Sequence, residues 1–137
     1  MDRFKVAVEV VVEKDRKYLV NLRLPSDVDA AGTLCFPGGK VDQHEIMDGV
    51  LEHVAAREVL EETGIHIQNV RYVYSTTTLH GEQPVLFITF LADYASGEIV
   101  PQPEETAGVF WMAPEDLRKD PRTPAWILET VLRCEAQ

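Results

Sequence analysis

Apolar positions recur along this chain in three different rhythms. Val6 to Val12 is an almost unbroken run of β-branched residues, interrupted only by Glu9, which predicts a strand buried on both faces. Glu13 to Arg16 is a polar turn, and Tyr18 to Arg23 reads as the returning strand of a hairpin. Pro25 to Gly32 reads as a loop, and Leu34 to Lys40 as a short strand running into a glycine turn at Pro37–Lys40. From Asp48, a candidate N-cap, to Thr63 the residues are good helix formers, and Gly64 offers a C-terminal stop. Further strands are predicted at Val70–Thr76, Val85–Leu91 and Val109–Met112, with a turn at Asp93–Gly97 and an acidic loop at Pro101–Glu105. Pro114 opens a short helix, and Pro124 to Cys134 reads as a closing helix with proline at its start. Strands, one helix, more strands and then helices predict an α/β or α+β sandwich. Neither a linker nor an internal repeat interrupts it, so residues 1–137 are expected to form a single domain.

The helix carries the most unusual chemistry. Residues Arg57 to Ile65 read R-E-V-L-E-E-T-G-I, and at helical spacing Glu58, Glu61 and Glu62 fall within an arc of about 100°. Arg57 stands four positions before Glu61, where an ion pair is favourable. Ala55, Ala56, Val59 and Leu60 are expected to pack on the sheet. An acidic face is ordinarily just solvated. A hard divalent cation such as magnesium, which takes oxygen ligands, would instead turn the repulsion between Glu58 and Glu62 into binding energy. The glycine turn favours that second reading, because its backbone can approach a ligand closely and Lys40 can reach a phosphate.

Charge sharpens the picture. The formal net charge is −10, which opposes broad binding to nucleic-acid polymers or anionic membranes, so an anionic substrate needs bound cations or a local basic patch. The two cysteines, Cys35 and Cys134, have neither disulfide-framework nor zinc-site spacing and suit a reducing cytoplasm. Val6–Val12 is too short to span a membrane, and no secretory cleavage region is expected.

Taken together, "FPGGKV" and "AAREVLEETGI" resemble the Nudix hydrolase box, G-x5-E-x7-R-E-U-x-E-E-x-G-U, with U a bulky apolar residue. The match is complete from Arg57 to Ile65. Counting from Gly39, Glu45 takes the place of the first glutamate, but eleven residues then precede Arg57 where the pattern has seven. The four extra residues are expected in the loop before the helix. Either Glu45 or Asp48, or neither, would then supply the family's supporting carboxylate. Glu45 is expected to bind no metal, and its loss to cost little activity.

The resemblance implies a Nudix-type α/β/α sandwich, a mixed sheet between helices. It also implies magnesium-dependent hydrolysis, with manganese able to substitute, of a nucleoside diphosphate linked to another group. By position, Glu58 and Glu62 are metal ligands, Glu61 is a further ligand or outer partner, and the Gly39 carbonyl joins them. Arg57 orients the carboxylates, and Arg23 and Lys40 are candidate phosphate contacts. For the catalytic base, Glu105 lies six positions before Trp111, as in the MutT-like branch; Glu104 and Glu61 are the alternatives. His80 could face a substrate base, whereas Phe36 and Trp111 read as core. Leu79 and His80 stand where ADP-ribose members usually carry a proline. The leading expectation is therefore a (d)NTP split into (d)NMP and pyrophosphate. Behind it stand a nucleotide-sugar or ADP-ribose pyrophosphatase, and a catalytically silent nucleotide sensor. The expected partner is a small nucleotide, and the protein a monomer or homodimer.

Overall fold

The computed structural model describes residues 3–137. The β-branched run forms β1 (Lys5–Lys14), the centre of a seven-stranded mixed sheet. A tight turn with positive φ at Asp15 and Arg16 returns the chain into β2 (Lys17–Leu22). Two short strands, β3 (Leu34–Cys35) and β4 (Gly38–Lys40), precede helix α1 (Val50–Thr63). A long hairpin follows, β5 (His66–His80) and β6 (Gln83–Ser96), then β7 (Gly108–Met112), α2 (Pro114–Lys119) and α3 (Ala125–Glu135). The strand order is β3-β2-β1-β6-β5, with β4 paired to β1 and β7 to β2. β1 runs parallel to β6, from Lys5 opposite Val85 to Glu13 opposite Asp93. The other pairings are antiparallel.

Alternation along β1 builds both halves of the core. Val8, Val10 and Val12 pack with Val54, Ala55 and Val59 of α1. Val11 faces the other way, with Leu117 of α2 and Ile127 and Val131 of α3. The sheet therefore lies between α1 and the α2–α3 pair, the α/β/α arrangement that the family resemblance implied.

Four local expectations need correction. Asp48 does not cap the helix: α1 starts at Val50, and the preceding Gly49 takes a left-handed conformation, φ 67°, with no side-chain cap. Ala56 and Leu60 are exposed, whereas Val54 and Thr63 join Ala55 and Val59 in the core, so the buried stripe is rotated from the expected one. The expected glycine turn is instead the strand β4, placing Gly38 and Gly39 opposite Glu9 and Val8. A side chain at Gly38 would collide with the Val8 carbonyl oxygen, so only glycine permits this approach. Finally, Asp93–Ser96 is not a turn but the end of β6, because pairing with His66, Ile67 and Gln68 extends the ladder.

Gly64 closes α1 in a left-handed conformation, φ 82°, donating its N–H to the Leu60 carbonyl, and a Cβ there would lie 2.8 Å from the Glu98 carbonyl oxygen. Gly81 has similar backbone, φ 64°, but open space around it. Gly64→Ala should therefore destabilise the protein by more than the roughly 1–2 kcal/mol of left-handed strain alone, and Gly81→Ala by no more than that. Urea denaturation of the two variants checks the ranking.

Candidate active site

The site is assembled where the C-terminal half of α1 meets β4. Arg57 is its hub. Its Nε donates to Glu45 Oε2 at 2.9 Å and its Nη2 to Glu45 Oε1 at 2.7 Å, a two-pronged grip. Its Nη1 donates to Glu58 Oε1 at 2.9 Å and to Glu61 Oε2 at 3.3 Å. Nη2 also points to the Lys40 carbonyl at 3.4 Å. One half-buried guanidinium thus gathers three glutamates and the end of β4.

Glu45 is therefore not idle. Residues 46–49 loop outward, leaving Ile46 86% exposed, and Glu45 still reaches Arg57 across the insertion. Of the alternatives left open by the sequence, the structure seats Glu45 and not Asp48 on the arginine. His53 Nε2 adds a contact to Glu45 at 3.3 Å. Hydrogen bonds from Arg57 hold the Glu45 carboxyl below the usual carboxylate range.

The glutamates across from it behave differently. Glu62 accepts the Gly38 N–H at 3.1 Å and is otherwise shut in. Burial, reinforced by the charges of Glu58, Glu105 and Glu61, pushes its pKa up to about 8 against the Gly38 hydrogen bond. Burial also raises Glu58, although Arg57 opposes this. A side chain at Gly39 would collide with the Glu58 carboxylate, so glycine is required for this carboxylate to lie against the β4 backbone. Magnesium is held by one or two carboxylates and takes its remaining oxygens from water and substrate phosphate. Two carboxylates with raised pKa beside bare glycine backbone fit such an ion.

The remaining sequence candidates divide. Glu105 lies in the loop before β7 on the side of Glu62, whose pKa its charge raises. That loop is anchored by the buried Thr106, bonded to Asn21, and by the Ala107 N–H to the Leu22 carbonyl at 2.9 Å. Lys40 is exposed at the end of β4. Arg23 follows β2 and is committed to its own loop, donating Nε to the Asp29 carbonyl at 2.8 Å and lying 3.7 Å from Asp27. Burial lifts the Cys35 thiol to about 11, so it is no nucleophile at neutral pH. Phe36 is buried, and Trp111 packs edge-on against Tyr94 at 5.9 Å, so both serve the core as expected. Glu9, in the sequence only a break in the apolar run, accepts hydroxyls from Thr89 and Thr130 on the α3 side of the sheet.

A family model of the NUDIX domain matches residues 3–133. The NAD-capped RNA hydrolase NudC of Escherichia coli O1:K1 / APEC is 41% identical over 91 residues, covering 64% of this chain and 35% of that protein. The Klebsiella pneumoniae NudC gives the same identity and coverage. The match thus spans about a third of these relatives' length. Among solved structures, the Burkholderia pseudomallei MutT NUDIX hydrolase superposes with a TM-score of 0.80 at 21% identity, covering 96% of this chain and 98% of that one. The NUDIX domain of Shewanella oneidensis NrtR, solved with ADP ribose, gives a TM-score of 0.80 at 17% identity, covering 99% and 89%.

The pKa pattern has a measurable consequence. Raised folded-state values for Glu62 and Glu58 mean that the metal-free protein binds protons more tightly than its unfolded chain. The stability this confers is complete below the ordinary carboxylate range and is lost as pH rises towards about 8. A cation binds the ionised form and reverses the loss. The magnesium-induced rise in Tm should therefore grow between pH 5 and pH 8 (roughly the window between the two values). Differential scanning fluorimetry with and without magnesium tests this; a pH-independent rise would contradict it.

Proposed function

Because the chain belongs to the NUDIX family, we propose that it is a magnesium-dependent pyrophosphohydrolase that cleaves a nucleoside diphosphate linked to a further group. Its leading substrate is a (d)NTP, split into (d)NMP and pyrophosphate. The observation that carries this reading is the Arg57-centred set of Glu45, Glu58 and Glu61 beside the half-buried Glu62, with Glu58 and Glu62 lying against the Gly38–Gly39 backbone.

Glu58 and Glu62, with the Gly39 carbonyl, would hold the ion, and Glu61 would complete or support that set. Magnesium, when bound, neutralises pyrophosphate charge and makes water a better nucleophile. Arg57 keeps its carboxylates in place and touches no substrate. Lys40 answers the negative charge of the phosphates, and Arg23 does so once its loop releases it. As water oxygen bonds to phosphorus and the anhydride P–O bond breaks, Glu105 takes the water's proton. Glu105 suits that role because it lies beside the metal carboxylates without belonging to them, so a cation lowers its basicity less.

A second reading rests on the NudC relatives: the pyrophosphate of a dinucleotide such as NAD is the bond cleaved. The net charge of −10 favours a small dinucleotide over a long RNA. Arguing against a silent sensor is the retention of all three helix glutamates.

A panel of (d)NTPs, nucleotide sugars, ADP-ribose and NAD, assayed with and without magnesium, separates these readings. Glu58→Gln and Glu62→Gln should each lower kcat by at least about 100-fold with an unchanged fold. Glu105→Gln should lower kcat with little change in KM and remove the acidic limb of the pH–rate profile. If Glu105→Gln keeps the wild-type profile, the base is on the helix, with Glu61 next in line.

A further inference from the structure

The sheet ends on an open edge. Its strand order runs β3-β2-β1-β6-β5, so β5 has a strand partner on one side only. An edge strand presents a row of unpaired N–H and C=O groups, a template for one more strand. Proteins blunt such edges with very short strands, bulges, prolines or charged side chains. At the other end of the order, β3 has only two residues. The first half of β5 is broken by register shifts at His66/Ile67, Gln68/Arg71 and Tyr72/Tyr74, and it carries Arg71, paired with Asp93.

The second half has none of these devices. Tyr74 to His80 pairs with β6 residue by residue, from Thr89 to Gln83, without a shift. Its sequence, Y-S-T-T-T-L-H, contains no proline, lysine, arginine or carboxylate, in a chain of which 26% is charged. Ser75 to His80 are all exposed. Apart from β6, no backbone group among the described residues bonds to this stretch. Leu79, near its end, is 66% exposed. Four residues earlier and on the same face, Ser75 borders an open cavity of about 460 Å³ whose other walls are mostly apolar, among them Leu51, Tyr72, Leu86 and Ile88. One edge thus carries both an apolar recess and an exposed leucine.

We propose that β5 pairs antiparallel with β5 of a second copy of this chain, across a twofold axis at Thr77, joining the two sheets into one. Charge and register both select a second copy. Two chains of net charge −10 repel over most of their surfaces, and this uncharged edge is where they can approach at least cost. Thr77 is the middle of the seven-residue stretch, so an axis there uses all of it, with the same surface on both partners. Thr77 then faces Thr77 of the copy, and Thr76 faces Thr78, pairs of a kind that stabilise neighbouring strands. Ser75 faces Leu79. Each leucine therefore stands beside the other copy's cavity, over the small Ser75, and symmetry makes this happen twice. Beyond the paired stretch, Glu82 at each hairpin tip is carried to the level of Arg71 in the other copy, so unlike charges flank both ends. Moving the axis by one residue would set Leu79 opposite Thr77 or Val73 instead and leave part of the stretch unpaired. The Arg57 site is built on α1 and β4 and takes no part in this edge.

Sedimentation equilibrium of the wild type over a dilution series should show a mass that rises with concentration towards twice the 15.4 kDa of one chain. Thr77→Lys and Thr77→Glu each set two like charges face to face on the axis, and each should stay at the mass of one chain. An equimolar mixture of the two should recover the doubled mass, because lysine then faces glutamate. Circular dichroism checks that both variants fold. A wild type that keeps single-chain mass at every concentration overturns the proposal. So does a folded Thr77→Lys that doubles its mass as the wild type does, or a mixture that fails to recover. If the charged variants do not fold, Thr77→Cys, close in size to threonine, decides. Residues directly opposite across paired strands stand about 4.5–5.5 Å apart at Cα, within disulfide reach. Mild oxidation should therefore link Thr77→Cys chains in pairs and leave Thr78→Cys chains, whose cysteines sit off the axis, unlinked. Equal linking in the two variants, or none in Thr77→Cys, overturns the pairing.

Discussion

The grip of Arg57 on its glutamates is the interaction on which the rest of the site depends. Three carboxylates from α1 and a fourth from the preceding loop are brought within reach of one another, in a chain already strongly acidic. Without a central cation they would repel and splay. A guanidinium is suited to this because its planar fork can bind Glu45 through two bonds and still present Nη1 to Glu58 and Glu61. A lysine ammonium has no such geometry. Arg57 is buried enough to be held and sits on the rigid helix, so the carboxylates it orients are set before any ligand arrives.

The fold supplies the complement to that grip. β1 buries residues on both faces and so fixes β4 beside it, and β4 can lie there only because Gly38 has no side chain. Gly39 in turn leaves room for the Glu58 carboxylate. Packing of Val54, Ala55 and Val59 on β1 then sets the height and rotation of α1 over this backbone. The site is a seam between one helix and one short strand.

Much of this was legible in the sequence, for physical reasons. The β-branched run of β1 and the hydrophobic hairpin patterns announce a sheet. The glutamate spacing on α1 announces a carboxylate face, because helical geometry is fixed at 3.6 residues per turn. What local pattern could not give was set by tertiary contact. The Pro37–Lys40 segment has the composition of a turn, yet pairing with β1 makes part of it a strand. Asp48 has the chemistry of a helix cap, yet the chain enters α1 through the left-handed Gly49. The position of Glu45 depends on how a loop with four extra residues folds back, and its two bonds to Arg57, twelve positions on, are not legible locally. Glu9 was visible as a charge in an apolar run, but its partners Thr89 and Thr130 lie 80 and 121 positions away.

If Arg57 organises the carboxylates proposed to hold the metal, the most direct measurement is the affinity of Arg57→Lys for manganese, followed by electron paramagnetic resonance, since free and bound ions give distinct signals. The substitution keeps the positive charge and removes the fork. The account predicts binding weaker by about 10-fold or more, with circular dichroism unchanged. Wild-type affinity in a folded Arg57→Lys protein would contradict it, because the glutamates would then hold their arrangement without the arginine.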